Sequence, residues 1–414
     1  MTSNSLVFRA HHKSRYSLAA LLGAIEVDER FENLHIEAPV RGFNSVIANR
    51  LKHGHVIAAF SVMSTQVPRV RNEVQQIRKK YGNNVILVAG GPHSTARPRD
   101  ALEMGFDFVV VGEGEYAFPA LLGRILDEGD VSDIPGVVTT GTKNVPKPRD
   151  LMQVDLDLYP PFALGMNVVG PIEVTRGCPF RCKFCATPFL SGGIVRHRSI
   201  ENIVHWLREA VMRSGFERAW LLSPNALCYG GRGAKPNPEK LEALLNRATS
   251  VDGLDQLYFG SFPSEVRPEF VNHSLLKMFR NYVANDSLQI GIQSGSNRVL
   301  QISNRHHTVE QGVDAVVCAL QNGFTPHVDM IFGLPGESEK RLEKTLELCY
   351  ELVEMGAKIH GHIFMPLPGS EFEHEPAGRL PEQVRSKLGD LSRRGMMTGS
   401  WYNQELLGKQ LEEN

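Results

Sequence analysis

The chain has 414 residues, of which 42% are hydrophobic, with 45 lysines and arginines against 46 aspartates and glutamates. This length predicts two or three domains. The balanced charge gives no electrostatic basis for nucleic-acid binding, and no apolar run approaches the ~20 residues of a membrane span. Residues 1–5 lack the pattern of a signal peptide and the six cysteines show no pairing pattern, so we expect a reducing cytoplasm and no membrane partner.

The first 140 residues alternate short apolar runs with helical patterns and are predicted to form one domain. The candidate strands lie at residues 6–9, 34–37, 56–60, 85–89 and 108–111, and the candidate helices at 16–25, 43–51, 67–80, 96–104 and 115–126. Continuous Val/Ile/Ala strands separated by helices indicate an α/β fold with a doubly wound, Rossmann-like parallel sheet. Such sheets bind ligands outside the carboxyl ends of their strands.

Three loops at those strand ends carry small and polar residues. They supply the candidate ligand-binding residues Ser61, Met63, Ser64, Thr65, Gly90, Gly91, Pro92, His93, Gly112, Glu113, Gly114 and Glu115. Glycine allows a ligand to approach the backbone, and hydroxyl groups can bond amides or phosphates. Each loop alone is also compatible with a simple turn. A nucleotide-binding, flavodoxin-like domain is an alternative, although no Gly-x-Gly-x-x-Gly opens the first helix.

Residues 141–170 are rich in Pro, Asp and Lys and are predicted to be an extended linker. Residues 171–375 then alternate strands and helices about six times. Their candidate strands lie at 172–174, 219–222, 256–259, 288–292, 327–332 and 358–363. Six βα units predict a partial (β/α)6 barrel with its site at the strand carboxyl ends. Residues 376–414 are predicted to be a C-terminal extension, either packed on the barrel or covering its open side.

Three cysteines, Cys178, Cys182 and Cys185, follow the first barrel strand at C-x3-C-x2-C. Three such thiolates can each bind one iron of a 4Fe-4S cluster and leave the fourth iron open. A structural zinc site would need a fourth ligand nearby, and the next histidine is His197. Three is odd for disulfides, and Cys228, Cys318 and Cys349 are scattered in apolar patterns that indicate core residues.

Polar groups follow the other barrel strands. The candidates are Asn225, Ser264, Glu265, Arg267, Gln293 and Ser294, with the ring of Phe184 inside the cysteine stretch. A carboxylate can accept an amine or ribose hydroxyls, and arginine pairs with carboxylates through two hydrogen bonds. Capping of a helix is the alternative for Ser264 and Glu265, for which we favour a site role. His307-Thr308 could cap the next helix or face the site, and we favour the structural role.

The C-x3-C-x2-C stretch closely resembles the signature of the radical SAM superfamily. The resemblance implies that S-adenosyl-L-methionine (SAM) chelates the open iron of a 4Fe-4S cluster and is split to a 5′-deoxyadenosyl radical. It also implies that Phe184 lies near the SAM adenine and that the polar strand-end residues bind SAM. Gln293 replaces the glutamate that is usual in the family's Gly-Val-Glu-Ser-Gly-Ser loop, which keeps hydrogen bonding but removes a charge.

The Gly-Gly-Pro-His and Gly-Glu-Gly-Glu loops, placed before the cysteines, closely resemble the cobalamin-binding domain of cobalamin-dependent radical SAM methyltransferases. No Asp-x-His-x-x-Gly element occurs at the expected strand end. We therefore expect base-off cobalamin without a histidine on cobalt, with the Ser61–Gln66 loop below the cobalt. That family implies C-methylation of an unactivated sp3 carbon by means of the 5′-deoxyadenosyl radical and methylcobalamin.

Within the family, Phe8-Arg9-Ala10, Ser14–Ser17, Ser61–Gln66 and Ser223–Asn225 look most like a methanogen branch. This branch implies anaerobic, post-translational methylation of the α-carbon of a glutamine in the α subunit of methyl-coenzyme M reductase. It also implies a low-potential electron donor such as ferredoxin. A small natural product or lipid is the alternative substrate, and a cobalamin-linked rearrangement enzyme or a cobalamin sensor stays open. A methylthiotransferase is disfavoured, because that class normally has a second cysteine triplet in its first domain and no cysteine precedes Cys178.

Overall fold

The computed structural model describes residues 4–412. The chain forms two compact units, the first made of residues up to 170 together with 189–192, and the second made of 171–188 and the residues from 193 onward. The domain boundaries predicted from the sequence, at residues 140, 170 and 375, stay predictions.

The first unit is built on one six-stranded sheet, in the order β2-β1-β3-β4-β5-β6. Its strands are β1 (Ser5–Phe8), β2 (His35–Glu37), β3 (Val56–Ser61), β4 (Val85–Gly90), β5 (Phe108–Val110) and β6 (Val137–Val138). Its helices are α1 (Arg15–Glu26), α2 (Phe43–Arg50), α3 (Val67–Tyr81), α4 (Gly91–Ala96), α5 (Pro98–Met104) and α6 (Gly114–Leu126). β1 to β5 are parallel and β6 runs antiparallel to β5. The predicted parallel α/β sheet is thereby confirmed.

Alternate side chains of the central strands fill two separate cores. Ala58 and Phe60 of β3 pack in one buried cluster, whereas Ile57 and Ala59 pack in the other. A strand that is buried on both faces needs a continuous apolar sequence, which is the pattern that predicted these strands. Polar residues of the central strands, such as Ser61, are thus found at the strand ends.

The segment predicted as a linker clusters with the first unit. Val154, Leu156 and Phe162 within it are buried, and the Val154 N–H donates to the Glu113 carboxylate at 2.8 Å. The prolines and charges suggested an extended connection, but the interspersed apolar residues bury surface and hold the segment in place.

The second unit contains two parallel sheets and a short antiparallel pair, β8 with β9. Its strands are β7 (Ile172–Glu173), β8 (Thr175–Arg176), β9 (Arg196–His197), β10 (Arg218–Leu222), β11 (Gln256–Tyr258), β12 (Ser287–Gln293), β13 (Thr325–Phe332), β14 (Lys358–Ile363) and β15 (Met397–Thr398). The sheet orders are β11-β10-β7 and β12-β13-β14-β15. A parallel bridge between Val266 and Ile290 links the loop after β11 to β12. The six predicted barrel strands therefore exist.

Helices connect the barrel strands. They are α7 (Thr187–Ser191), α8 (Ile200–Ser214), α9 (Pro238–Thr249), α10 (His273–Arg280), α11 (Asn297–Ile302), α12 (Val309–Gln321), α13 (Glu339–Glu354), α14 (Glu382–Arg393) and α15 (Trp401–Glu412). Cys228, Cys318 and Cys349 are buried, as predicted for core residues.

The C-terminal segment is part of the second unit's architecture. β15 pairs in parallel with β14, through Ile359 with Met397 and His360 with Thr398. On α15, the Gln404 side chain accepts the Ile363 N–H at the end of β14, at 2.9 Å. The segment thus extends the sheet by a further parallel strand, which the sequence did not predict.

Across residues 4–412, no helix combines the length and the apolar character needed to cross a membrane.

Candidate cofactor sites

The cysteine loop is shaped by two residues with left-handed backbone conformation. Gly177 has φ +88° and Arg181 has φ +51°, one residue before each of the first two cysteines. Burial, with smaller contributions from the neighbouring Cys185 and Cys182, raises the pKa of Cys178 to about 11. Burial also raises the pKa of Cys185. Burial disfavours ionisation of the Cys178 and Cys185 thiols, and a cationic metal cluster held by the three neighbouring cysteines would stabilise the thiolates.

Two arginines donate to one of these sulfurs. Arg267 Nη1 lies 3.5 Å and Arg305 Nη1 lies 3.4 Å from Cys182 Sγ. The Thr187 N–H donates to Cys185 Sγ at 3.4 Å. Hydrogen bonds and positive charge at ligand sulfurs are how a protein adjusts a cluster's reduction potential. The residues present therefore fit a 4Fe-4S cluster held by Cys178, Cys182 and Cys185.

The turn after α11 holds the cysteine loop in place through hydrogen bonds. Asn304 Nδ2 donates to the Phe180 and Arg181 carbonyls at 3.1 and 2.9 Å, and His306 Nε2 contacts the Phe180 carbonyl at 3.0 Å. The Lys183 N–H donates to the Ser303 carbonyl at 3.0 Å. Sequence reasoning missed these contacts and the contact of Arg305 with Cys182.

Arg267 already has an anionic partner. Its guanidinium lies 2.6 Å from Glu269 Oε1 and stacks on Phe180, with Cζ 3.7 Å from the ring centroid. Burial opposes ionisation of Glu269, but Arg267 keeps the pKa of that carboxyl below its ordinary value. The predicted pairing of Arg267 with the SAM carboxylate stays a prediction, and the contacts described here direct Arg267 to the cysteine loop instead.

The loop after β10 is cross-linked to the loop after β11. Ser264 Oγ donates to the Leu221 carbonyl at 2.6 Å and accepts the Ser223 N–H at 3.0 Å. Its hydroxyl group therefore joins two backbone segments. Asn225 accepts the Arg267 N–H at 3.3 Å, while its buried Nδ2 has no partner within the described part of the chain.

Glu265, in the loop after β11, is exposed to solvent, although many protein atoms lie around its carboxyl group. Burial and the charge of Asp329 raise the pKa of Glu265 to about 7. Such a shift next to an accessible surface is typical of a functional carboxyl group.

Gln293 and Ser294 end β12. Gln293 is buried at φ +80°, an uncommon conformation for a residue with a side chain. Ser294 Oγ lies 3.3 Å from Thr345 Oγ1 and 3.5 Å from Glu337 Oε1, and Glu337 Oε2 accepts the Gly333 N–H at 2.6 Å. Ser294 thereby connects β12 to the Gly-Leu-Pro-Gly loop after β13.

Phe184 packs in an apolar cluster with Leu334 and Phe364, beside the cysteine loop. The unpartnered Nδ2 of Asn225 and the accessible Glu265 provide a buried donor and a carboxylate in the same unit. An apolar ring surface with few polar groups suits an adenosine. The residues therefore fit SAM, with Phe184, Asn225 and Glu265 as the groups free to hold it.

The cobalamin candidates lie at the carboxyl ends of three neighbouring parallel strands, β3, β4 and β5. Gly91, at φ +87°, passes so close to the end of β3 that a Cβ atom would lie 2.8 Å from Ser61 Oγ. In the described chain, Ser94 Oγ is buried and has no hydrogen-bond partner. Close backbone approach and an unpaired hydroxyl fit a large polar ligand on this edge.

A chain of hydrogen bonds fixes the middle loop. His93 Nε2 lies 2.8 Å from Asp100 Oδ2, and its Nδ1 lies 3.1 Å from Ser64 Oγ. Arg71 Nη2 donates to Asp100 Oδ1 at 2.6 Å. The hydrogen bonds from His93 and Arg71 hold the pKa of Asp100 below its ordinary value. These hydrogen bonds thus fix His93 and Ser64, at the strand ends, relative to α3 and α5.

Two contacts bring the chain's opening to the Ser61–Gln66 loop. Ser17 Oγ lies 2.9 Å from Ser61 Oγ, and Gln66 Nε2 lies 3.0 Å from His11 Nδ1. Gln66 Oε1 accepts the Met63 N–H, so its amide nitrogen donates to His11. Sequence reasoning missed His11 here, because no local signal links residues 55 positions apart.

The third candidate loop, residues 112–115, forms hydrogen bonds within the protein. Glu113 accepts the Val154 N–H, the Gly112 N–H donates to Thr95 Oγ1 at 3.1 Å, and Glu115 is buried. Gly90, Pro92, Gly114, Met63 and Thr65 retain partial exposure at the same edge.

Comparisons with known families agree with this division. Residues 172–349 match the model of the radical SAM superfamily, and residues 6–122 match that of the B12 binding domain. The chain therefore carries a B12-binding, Rossmann-like domain followed by a radical SAM domain.

The same order of folds occurs in solved structures. The radical S-adenosylmethionine methyltransferase TsrM of Kitasatospora setae, with cobalamin and a [4Fe-4S] cluster bound, superimposes with a TM-score of 0.70 at 15% identity. That alignment covers 91% of this chain and 78% of TsrM. The cobalamin-dependent S-adenosylmethionine radical enzyme OxsB gives 0.67 at 15% identity, over 95% of this chain and 61% of OxsB. These likenesses establish the fold.

Two curated proteins align with about three quarters of this chain. An uncharacterized protein of Methanopyrus kandleri is 26% identical over 362 residues, and the tRNA-2-methylthio-N(6)-dimethylallyladenosine synthase of Rickettsia felis is 26% identical over 325 residues. The alignments cover 74% and 76% of this chain, and 66% and 67% of the two relatives. The chain thus spans about two thirds of the length of these proteins.

Proposed function

We propose that the protein is a cobalamin-dependent radical SAM C-methyltransferase. The observation that carries the proposal is that one chain holds both fitted sites. These are three neighbouring cysteines, two of which accept N–H···S bonds, and a glycine-lined strand edge with an unpaired buried hydroxyl. When bound, the cluster with SAM supplies a hydrogen-abstracting radical, and cobalamin supplies a methyl carrier.

The chain's own residues would bind the cofactors, orient them and adjust the charge at the cluster. Arg267 and Arg305 stabilise negative charge on Cys182, and the Asn304–His306 turn fixes the loop that holds the cysteines. Phe184 provides an apolar surface for the SAM adenine, and Glu265 provides an acceptor for its polar groups.

We further propose base-off cobalamin without a histidine on cobalt. His11 Nδ1 accepts N–H groups from Gln66 and Lys13, so the proton of a neutral ring lies on Nε2 and that nitrogen offers no lone pair. His93 is held between Ser64 and Asp100. The Ser61–Gln66 loop, with Met63 and Thr65 partly exposed, would then be the part of this edge that contacts cobalamin.

For the substrate we propose the α-carbon of a glutamine in the α subunit of methyl-coenzyme M reductase, in the cytoplasm, with a low-potential donor such as ferredoxin. Several segments of the chain resemble the methanogen branch that carries out this reaction. Two of them, the opening of the chain and the Ser61–Gln66 loop, are joined by the contacts Ser17–Ser61 and His11–Gln66. These contacts show that the two segments lie next to each other.

The test is anaerobic reconstitution with iron, sulfide and cobalamin, followed by SAM, titanium(III) citrate and a peptide containing the reductase glutamine. We expect 5′-deoxyadenosine and S-adenosylhomocysteine in equal amounts, and a peptide heavier by one methyl group. A peptide with alanine in place of the glutamine is the matched control. Both products without a methylated peptide would reject this substrate while keeping the reaction class.

Methylthio transfer is the second candidate, because curated relatives carry that activity in their names. No cysteine precedes Cys178, so the first domain offers no thiolates for a second cluster. A product heavier by a methylthio group rather than a methyl group would favour this candidate.

A further inference from the structure

The inward face of the barrel sheet in the second unit carries polar side chains. On β12, Ile292 lies against Gly312 of helix α12, so Gly291 next to it faces the other way, into the barrel. Gly291 pairs with Asp329 on β13, and Asp329 pairs with His360 on β14. Paired residues of neighbouring strands point to the same side of a sheet, so Asp329 and His360 also face inward. Barrel interiors are usually filled with branched apolar residues, and this pair departs from that pattern.

Asp329 is a buried carboxylate whose counter-charge lies close by. The residue is only 4% exposed, and its Oδ1 accepts Gln289 Nε2 at 2.5 Å and His360 Nδ1 at 2.8 Å. His362 Nε2 lies 3.5 Å from the same oxygen atom. Among the described residues, no lysine or arginine lies within ion-pair distance of Asp329. Because buried charges are stable only when they are paired, one of the two histidines carries the positive charge.

The second nitrogen atom of each ring shows which histidine it is. Gln404 Oε1 accepts the Ile363 N–H, so Gln404 Nε2 donates to His362 Nδ1 at 3.2 Å. His362 Nδ1 is therefore a lone pair, and that ring is neutral. His360 donates its Nδ1–H to Asp329, and this hydrogen bond raises the pKa of His360 above its ordinary value. His360 is thus the imidazolium that balances Asp329.

The second N–H group of His360 is left without a protein acceptor. No residue of the described chain bonds to its Nε2, and its side chain keeps 28% of its surface exposed. His307, in the same unit, shows what a structural histidine looks like: its side chain is 0% exposed and its Nε2 donates to the Ile292 carbonyl at 3.1 Å. A charged, accessible N–H group on an inward face fits an oxygen atom of a bound molecule.

We propose that His360 Nε2 donates a hydrogen bond to a carboxylate or amide oxygen of the substrate, and that Asp329 is the positioning residue that holds the ring. The inference rests on the proposed function and adds the substrate group that the barrel recognises, a C=O oxygen.

This contact makes binding depend on pH. An anionic oxygen binds the imidazolium better than the neutral ring, so its affinity falls as the pH rises through the pKa of His360. The titratable groups around His360 are Asp329 and His327 on β13, His362 on its own strand and Glu265 in the loop after β11. The two carboxylates among them favour the charged ring.

Nitrogen NMR of the histidines in the reconstituted enzyme tests the pairing before any ligand is added. His360→Gln removes one set of signals and so assigns them. We expect a pKa above the 6.5 of an ordinary histidine, and a neutral ring that keeps its proton on Nδ1. Asp329→Asn removes the charge and keeps the shape, so it should return the pKa of His360 towards the ordinary value. His374→Gln, at an exposed position, is the control and should leave the His360 signals unchanged.

Three small probes of one shape test the ligand. Acetate, acetamide and acetamidinium offer two, one and no acceptor oxygen atoms. We expect acetate to move the His360 signals at millimolar concentration, acetamide to bind at least about tenfold more weakly, and acetamidinium not to bind. His360→Gln keeps an N–H donor, so it should still bind acetamide but lose the pH dependence. His360→Leu should bind none of the probes.

A repeat of the titration with saturating SAM separates two sources of a carboxylate. Acetate that still moves the His360 signals with SAM bound would assign the contact to the substrate. A shift caused by SAM alone, together with exclusion of acetate, would assign the contact to the SAM carboxylate and overturn the proposal.

Three further results would overturn it. They are equal binding of the three probes, no binding of acetate, and unchanged acetate binding in Asp329→Asn. Methyl transfer that persists at the wild-type rate in His360→Leu would reject this subsite alone. Acetate binding at His360 in an enzyme that transfers no methyl group would reject the proposed function alone.

Discussion

At the scale of single residues, two positive charges lie next to one sulfur atom of the cysteine loop. Cys182 receives two guanidinium N–H groups, whereas Cys185 receives a backbone N–H from Thr187. Arg267 is neutralised by Glu269 and held by the Phe180 ring, so Arg305 supplies the less compensated positive charge. The three thiolate positions are therefore electrostatically unequal.

Removing that charge should change the cluster's reduction potential. Arg305→Gln loses a charged N–H···S bond of about 1 kcal/mol, which corresponds to roughly 40 mV for one electron. The reduced cluster is the more negative state, so we expect a more negative midpoint potential in a redox titration followed by electron paramagnetic resonance. Arg298→Gln, on the neighbouring helix α11, is the control. An unchanged potential in Arg305→Gln would show that the Cys182 contact has no electrostatic effect.

The Asp100 carboxyl group makes a second residue-scale prediction. Because His93 and Arg71 lower its pKa, its contribution to stability is present above its ordinary pKa of 3.8 and is lost as the pH falls through the lower folded value. Asp100→Asn should cost roughly 1 kcal/mol at pH 7, after allowance for solvent screening.

Urea unfolding at pH 7 and near pH 3 measures this difference. The gap between Asp100→Asn and the wild type should shrink at the lower pH. Asp133→Asn, whose ion pair with Arg124 is exposed, should have little effect at either pH. A gap that stays constant with pH would mean that the Asp100 charge does not hold the His93 loop.

At the scale of elements, the C-terminal strand β15 depends on close backbone contact. Gly399 has φ +105°, and a Cβ atom there would overlap the Gly361 carbonyl oxygen on β14. Gly395 has φ +71°, and no atom lies within 4 Å of the place where its Cβ would be. The glycines before and after this strand thus share a left-handed conformation and differ in the space beside them.

Alanine substitution separates these two effects. Gly395→Ala should cost about 1 kcal/mol of unfolding free energy, from backbone strain alone, and Gly399→Ala should cost at least about 1 kcal/mol more. Thermal unfolding gives the ranking, and limited proteolysis shows whether residues 397–412 are released. Equal melting temperatures would contradict the packing of β15 on β14.

At the scale of the whole molecule, strand and helix order could be predicted because apolar runs and turn residues are local signals. β3 and β13 are examples, as both are read directly from largely apolar sequence. The cysteine triplet and the strand-end loops were found for the same reason. What local patterns cannot supply is the partner of a side chain across the fold.

The missed features are mostly contacts between distant positions. β15 is two residues long and has no periodicity, so the sequence predicts only an extension there, without a strand. Arg305 contacts Cys182 across 123 positions of sequence. Arg267 was predicted to bind a ligand, because the sequence does not show that Glu269 is its ion-pair partner within the protein. Ser264 has the right chemistry for a ligand, but its hydroxyl group is used by two backbone groups.

The most direct test of the central claim measures two products of SAM in one reaction. Wild-type enzyme, reconstituted with iron, sulfide and cobalamin, should release 5′-deoxyadenosine and S-adenosylhomocysteine in equal amounts with the glutamine peptide. Cys182→Ala should lose 5′-deoxyadenosine entirely but still bind cobalamin, because the B12-binding domain is untouched. Cys228→Ala, a buried cysteine outside the triplet, is the control and should keep both products. Production of 5′-deoxyadenosine by Cys182→Ala, or no S-adenosylhomocysteine from the loaded wild type, would contradict the account.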